Sequence, residues 1–123
     1  MLGLFSFWGN SKPVDKVEFI SAAEAKEILD AGSADVLIDV RPVSQFGMAR
    51  IPGAVNLPVL EMVKNPAKLE EYRNKKAVLY CNTQNQSSHA AEVMQKAGLE
   101  NFKVISGGII DWHKQGYEID NQV

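Results

Sequence analysis

The chain has a single cysteine, Cys81, in the stretch AVLYCNTQNQSSHAAEVM, where an apolar run stops and a polar segment, Asn82 to Ser87, begins. A thiol between a strand and a helix is placed for nucleophilic chemistry. The N–H groups of the following loop and the positive end of the next helix stabilise an anion held there, first the thiolate itself. A loop with nothing apolar to bury is expected to curl at the surface around that thiol. The competing reading is an inert buried thiol, because lone cysteines are among the most often buried residues. The loop by itself leaves both open.

The elements that must position Cys81 follow from patterning. From Val17 onward, short β-rich runs alternate with amphipathic segments: VEFI, SAAEAKEILDAG, DVLIDV, AVNL, KLEEY, AVLY, HAAEVMQKAG, KVIS. That alternation predicts an α/β fold. Ser21 with Glu24 forms a capping box, Ala22, Ala25, Ile28 and Leu29 make an apolar stripe, and Gly32 supplies a left-handed stop, so a helix is expected from Ala22 to Ala31. DVLIDV and AVLY are nearly continuous in apolar residues, which suits central strands of a parallel sheet covered on both faces. A second helix is expected from Ser88 to Ala97, ended by Gly98.

Composition narrows the function classes. With 123 residues, 46% apolar, 23% charged and a net charge of −2, the chain is that of one soluble globular domain with no electrostatic case for nucleic acid or an anionic membrane. One cysteine and two isolated histidines, His89 and His113, do not make a structural metal site. No run approaches the roughly 18 apolar residues of a membrane-spanning helix. The start, MLGLFSFWGN, is apolar with no Lys or Arg ahead of it, which makes a poor signal peptide. Residues 1–13 are therefore read as an arm preceding a single domain over 14–123, with packing or loose order favoured over membrane contact by residues 1–10. A free reactive thiol without a convincing signal peptide points to a reducing cytoplasm.

Two further segments carry more information: LIDVRPVSQFGMARIPGAVNLP, Leu37 to Pro58, and VISGGIIDWHKQGYEI, Val104 to Ile119. Together with the Cys81 segment they make the chain resemble the rhodanese-like domain family over about Val17 to Ile119. In the family's first signature a strand ends in Asp-Val-Arg, a turn holds an aromatic residue, and His-Ile-Pro-Gly-Ala precedes the next strand. Here Asp39, Val40, Arg41, Phe46, Ile51, Pro52, Gly53 and Ala54 match, with Arg50 where histidine is usual. The closing signature matches Gly107, Gly108, Trp112 and Gly116. These also read as fold markers: a turn at Pro52-Gly53, close backbone passage at Gly107-Gly108, a core anchor at Trp112.

The resemblance implies a three-layer fold with a mostly parallel central sheet and helices on both faces. It implies a sulfurtransferase in which Cys81, as nucleophile, carries sulfane sulfur as a persulfide and passes it to a thiophilic acceptor such as cyanide, a small thiol or a protein thiol, without a cofactor. The backbone amides of Asn82, Thr83, Gln84, Asn85, Gln86 and Ser87 would cradle the sulfur and the leaving group. With no second cysteine to form an internal disulfide, the sulfur must leave to an external acceptor. Asp39 is expected to brace the rim of the site, with Arg41 and Arg50 as nearby cations, the alternative for Asp39 being a surface salt bridge.

The departures lie in the loop. Active members of the family have a glycine three residues after the cysteine and an arginine five after it, where this chain has Gln84 and Gln86. Gln84 must either tolerate a strained backbone or reshape the loop. Without the arginine, a dianionic donor such as thiosulfate is expected to bind poorly unless Arg50, Arg41 or His89 compensates. His89 reads more simply as an exposed residue early in a helix. A phosphatase or arsenate reductase of the same fold would need a cation clamping the oxyanion, and the loop has none. A noncatalytic rhodanese-like binding module is the standing alternative.

Overall fold

The computed structural model describes residues 17–121, so the apolar start of the chain lies outside the described residues. The elements run β1 (Glu18–Ile20), α1 (Ala22–Asp30), β2 (Val36–Asp39), α2 (Val43–Met48), β3 (Ala49–Arg50), β4 (Val55–Asn56) and α3 (Val59–Lys64). A 3-10 helix (Pro66–Tyr72), β5 (Ala77–Tyr80), α4 (Asn85–Lys96), β6 (Phe102–Ile105), α5 (Gly108–Lys114) and β7 (Asp120–Asn121) complete the chain.

The capping box at the start of α1 forms as expected: Ser21 Oγ accepts from the Glu24 N–H at 3.0 Å, and Glu24 Oε1 accepts from the Ser21 N–H at 2.9 Å. Ala22, Ala25 and Ile28 are the buried stripe, and Gly32 turns the chain at φ +69°.

Five strands form one parallel sheet in the order β1-β6-β5-β2-β4. The AVLY run is β5 at its centre, buried along its whole length between β2 and β6, because strands covered on both faces must be apolar on both. Side-chain alternation splits the run between two cores. Val78 and Tyr80 pack with Ala22, Ala25 and Ile28 of α1 and Ile109 and Trp112 of α5. Ala77, Leu79 and Cys81 pack on the opposite face with Met62 of α3, Leu69 of the 3-10 helix, and Ala90, Ala91 and Met94 of α4.

Three features have no counterpart in the sequence patterning. Helices α2 and α3 are six residues each, too short to show a helical period, and each follows a proline in extended conformation, Pro42 or Pro58. The third is a separate antiparallel ribbon of β3 with β7, in which Arg50 lies opposite Asp120.

The fold markers of the closing signature do their expected work. Trp112 is buried and donates from Nε1 to the Glu118 carbonyl at 2.8 Å, with Tyr117 edge-on at 5.1 Å. Gly108 has φ +61°, and a Cβ there would lie 2.3 Å from the Asn82 carbonyl oxygen and 2.5 Å from that of Cys81. That absence of a side chain lets the first turn of α5 approach the Cys81 segment.

Candidate active site

Cys81 follows the last residue of β5, at the carboxyl end of the central strand, and its parity directs the side chain to the face covered by α4. The segment after it is shorter than expected. Helix α4 starts at Asn85, so only Asn82, Thr83 and Gln84 are loop, while Asn85, Gln86 and Ser87 form the first helical turn. Polar residues in a first turn need no burial, and hydrophobic spacing therefore marked the helix only from its second turn.

The thiol is also not at the surface, being 2% exposed and part of the core. The Ser87 N–H donates to Cys81 Sγ at 3.3 Å, the thiol meets Ser87 Oγ at 3.3 Å, and Ser87 Oγ donates to the Gln84 carbonyl at 3.1 Å. Ser87 is the third residue of α4, whose N–H an N-cap side chain would ordinarily satisfy. Gln84 makes no such side-chain bond, and Cys81 sulfur takes that place. Sulfur thus sits on the positive end of a 12-residue helix.

Gln84 is at φ −148°, and no non-glycine residue among those described has a positive φ. The strain of a positive φ, one of the two expectations for Gln84, is therefore absent. Gln86 is half-buried and lines a groove of about 270 Å³ with Val40, Pro42, Val43, Val59 and Leu60. Asn85 and His89 join Gln86 along its continuation past Val59 and Val63, and His89 is exposed early in α4, as its simpler reading had it.

Asp39 is 0% exposed, so it is not a surface salt bridge. It accepts from the backbone N–H of Arg41 at 2.9 Å and from Arg41 Nε at 3.1 Å and Nη2 at 2.7 Å. Arg41, itself 4% exposed, also donates to the Ala49 carbonyl and, from Nη1, to Asn82 Oδ1 at 3.2 Å. Burial works against the Arg41 charge, but the Asp39 hydrogen bonds and negative charge outweigh it and hold its pKa above the usual arginine value. Arg41 is thereby committed to bracing the loop. Arg50 donates to the Phe46 carbonyl at 3.0 Å and stacks over the Phe46 ring at 5.0 Å. Neither arginine is brought to the thiol by these contacts.

Several residues of this constellation escaped sequence reasoning. Asn56 donates to the carbonyls of Asp39 and Arg41, both at 2.9 Å, and the Tyr80 hydroxyl accepts from the Ile51 N–H at 3.0 Å. Burial, then the Asp39 charge, pushes the Tyr80 phenol far above its usual pKa, so it stays neutral. Asn82 Nδ2 donates to Gln45 Oε1 at 2.9 Å. The N–H groups of Ile109 and Ile110 hold the carbonyls of Cys81 at 2.9 Å and Asn82 at 3.2 Å. A polar residue inside the apolar run AVNL was the only available signal for Asn56; nothing in the sequence marked Gln45.

A parallel α/β sheet with a cysteine on a helix N-terminus at the carboxyl end of its central strand defines the class of the protein. The chain belongs to the rhodanese-like domain family, whose model matches residues 21–115. It is 36% identical over 98 residues to the Mycobacterium tuberculosis protein named "Probable adenylyltransferase/sulfurtransferase MoeZ", covering 78% of this chain and 24% of that one. It is 31% identical over 124 residues to the adenylyltransferase and sulfurtransferase UBA4 of Meyerozyma guilliermondii, covering 95% of this chain and 28% of that one. The chain thus spans about a quarter of the length of these relatives. A rhodanese-related protein from Thermoplasma volcanium superposes with a TM-score of 0.73 at 30% identity over 85% of this chain and 99% of that one. Among the described residues no helix is long and apolar enough to cross a membrane.

Proposed function

We propose that this chain is a sulfurtransferase that carries sulfane sulfur as a persulfide on Cys81. The observation that carries the reading is the seat of Cys81 sulfur on the first turn of α4, in contact with the N–H and hydroxyl of Ser87. The thiol donates to Ser87 Oγ, which in turn donates a hydrogen bond to the Gln84 carbonyl. Once the thiol proton has left, the Ser87 N–H and the helix end remain to stabilise the thiolate.

The thiolate attacks the outer sulfur of the donor, whose sulfur–sulfur bond breaks to release a thiolate or sulfite and leave a persulfide on Cys81. Cyanide or an external thiol then attacks the outer persulfide sulfur, taking it as thiocyanate or as a new persulfide, and the Cys81 thiolate is restored. The chain's own groups do this work, with the amides from Asn82 to Ser87 available to the transferred sulfur. Gln84 and Gln86 bring no charge, and Arg41 is neutralised by Asp39. The site therefore selects donors of low charge, persulfides or polysulfides, over thiosulfate.

One observation favours a second reading, a noncatalytic binding module: the thiol is buried, so a donor reaches it only if the neighbouring segments give way. Mass spectrometry before and after a persulfide donor distinguishes the two. The expected result is a gain of one sulfur on the reduced protein, removable by cyanide and absent in Cys81→Ser, whose hydroxyl still accepts from Ser87. No gain in the wild type, or transfer retained in Cys81→Ser, refutes the mechanism.

A further inference from the structure

Helix α2 is six residues long and has no buried residue, with Val43 68% and Met48 70% exposed. Burial of Phe46 is only partial, so hydrophobic packing holds α2 weakly, and its first residue and the preceding Pro42 line the same groove as Gln86. The side chain of Asn82 supplies a polar tie. Its oxygen accepts from Arg41, which is anchored by Asp39, and its nitrogen donates to Gln45 in the middle of α2. The carbonyl of Asn82 is held from the other side by the N–H of Ile110 in α5.

We propose that Asn82 is a positioning residue that ties the loop after Cys81 to α2, so that the Gln45–Asn82 hydrogen bond holds that loop closed against the thiol and keeps its amides aligned. Each end of the Asn82 amide has a partner within the protein, which fixes the orientation of the side chain. Asparagine suits the post because it alone joins an acceptor for Arg41 to a donor for Gln45 at this length; aspartate would face Gln45 Oε1 with no proton to give.

The inference rests on the sulfur-transfer reading for its kinetic arm only. Gln45→Met keeps the length of the side chain and removes the acceptor, whereas Gln45→Glu keeps an acceptor. Two rates are measured for wild type, both Gln45 variants and Asn82→Ala: persulfide-to-cyanide transfer, and alkylation of Cys81 by iodoacetamide in the full chain. Because the thiol is buried, alkylation reports the opened population. Loss of one neutral hydrogen bond in Gln45→Met is expected to raise alkylation about fivefold and lower kcat/KM about fivefold. Gln45→Glu should stay within about twofold of wild type, and Asn82→Ala should exceed Gln45→Met in both effects. A Gln45→Met protein that alkylates like wild type overturns the latch, as does a Gln45→Glu protein that changes as much as Gln45→Met. If the wild type takes up no sulfur, the function fails while alkylation still decides the latch.

Discussion

Gln86→Arg tests whether charge at the groove selects the sulfur donor. Gln86 stands where the rhodanese-like family carries arginine, and it lines a groove whose other walls are Val40, Pro42, Val43, Pro58, Val59, Leu60 and the carboxylate-bearing Glu61, with no cation among them. A hydrogen bond from a guanidinium to a charged donor is worth about 1.5 to 3 kcal/mol, and each ~1.4 kcal/mol is tenfold. Because Gln86 is half-buried and solvent screens part of that gain, about tenfold in the Michaelis constant for thiosulfate is the expected improvement. The gain should shrink with added salt, and the constant for a low-charge persulfide donor should not follow it. Gln84→Gly is expected to add less than about twofold to this, since Gln84 has no positive φ for glycine to relieve. The assay is steady-state thiosulfate-to-cyanide transfer for wild type, both single variants and the double. A wild type that already handles thiosulfate at a low Michaelis constant, or a Gln86→Arg variant with no gain, would show that another cation serves the pocket and that the donor-selection reasoning is wrong.

Asp39→Asn leaves the Arg41 charge buried without its counter-charge, which should destabilise the fold by about 3 to 5 kcal/mol, read as a lower urea midpoint with unchanged slope. Tyr80→Phe strips the acceptor from the Ile51 N–H and should cost about 1 to 3 kcal/mol at neutral pH. The Tyr80 pKa is raised in the folded state, so its contribution is complete below the ordinary value of 10.0 and is lost as pH rises beyond it, where the unfolded chain ionises and the native one does not. Urea titrations at pH 8 and at pH 11 should therefore show the gap between wild type and Tyr80→Phe narrowing at the higher pH, at a rate of up to about 1.4 kcal/mol per unit; a constant gap would contradict the burial of a neutral phenol.

What the sequence by itself determined is what neighbouring residues decide among themselves. Ser21 and Glu24 are three apart and cap α1 from either side, so the helix start was legible before any fold was known. The four-residue apolar run before Cys81, set among alternating β-rich and amphipathic segments, suited a central strand buried on both faces, and that placed the thiol at the carboxyl end of a parallel sheet. The glycine pair at 107 and 108 signalled close backbone passage, though not that Gly108 alone would meet it, against Cys81 and Asn82, while Gly107 faces the side chain of Asp111.

Tertiary structure decided whatever depends on partners distant in the chain. Asn82 meets Gln45 across 37 positions and Arg41 across 41, separations that no local pattern encodes. The depth of the thiol was likewise undecided, because burial of Cys81 depends on Met62, Leu69 and Met94 closing over one face of the sheet. Helices α2 and α3 were invisible to periodicity since six residues make less than two turns, and α2 buries nothing that would leave an apolar stripe. Even the fate of Asp39 turned on its surroundings: a carboxylate beside an arginine reads the same at a surface or in a core, and only the packing of β2 between β5 and β4 buried the pair.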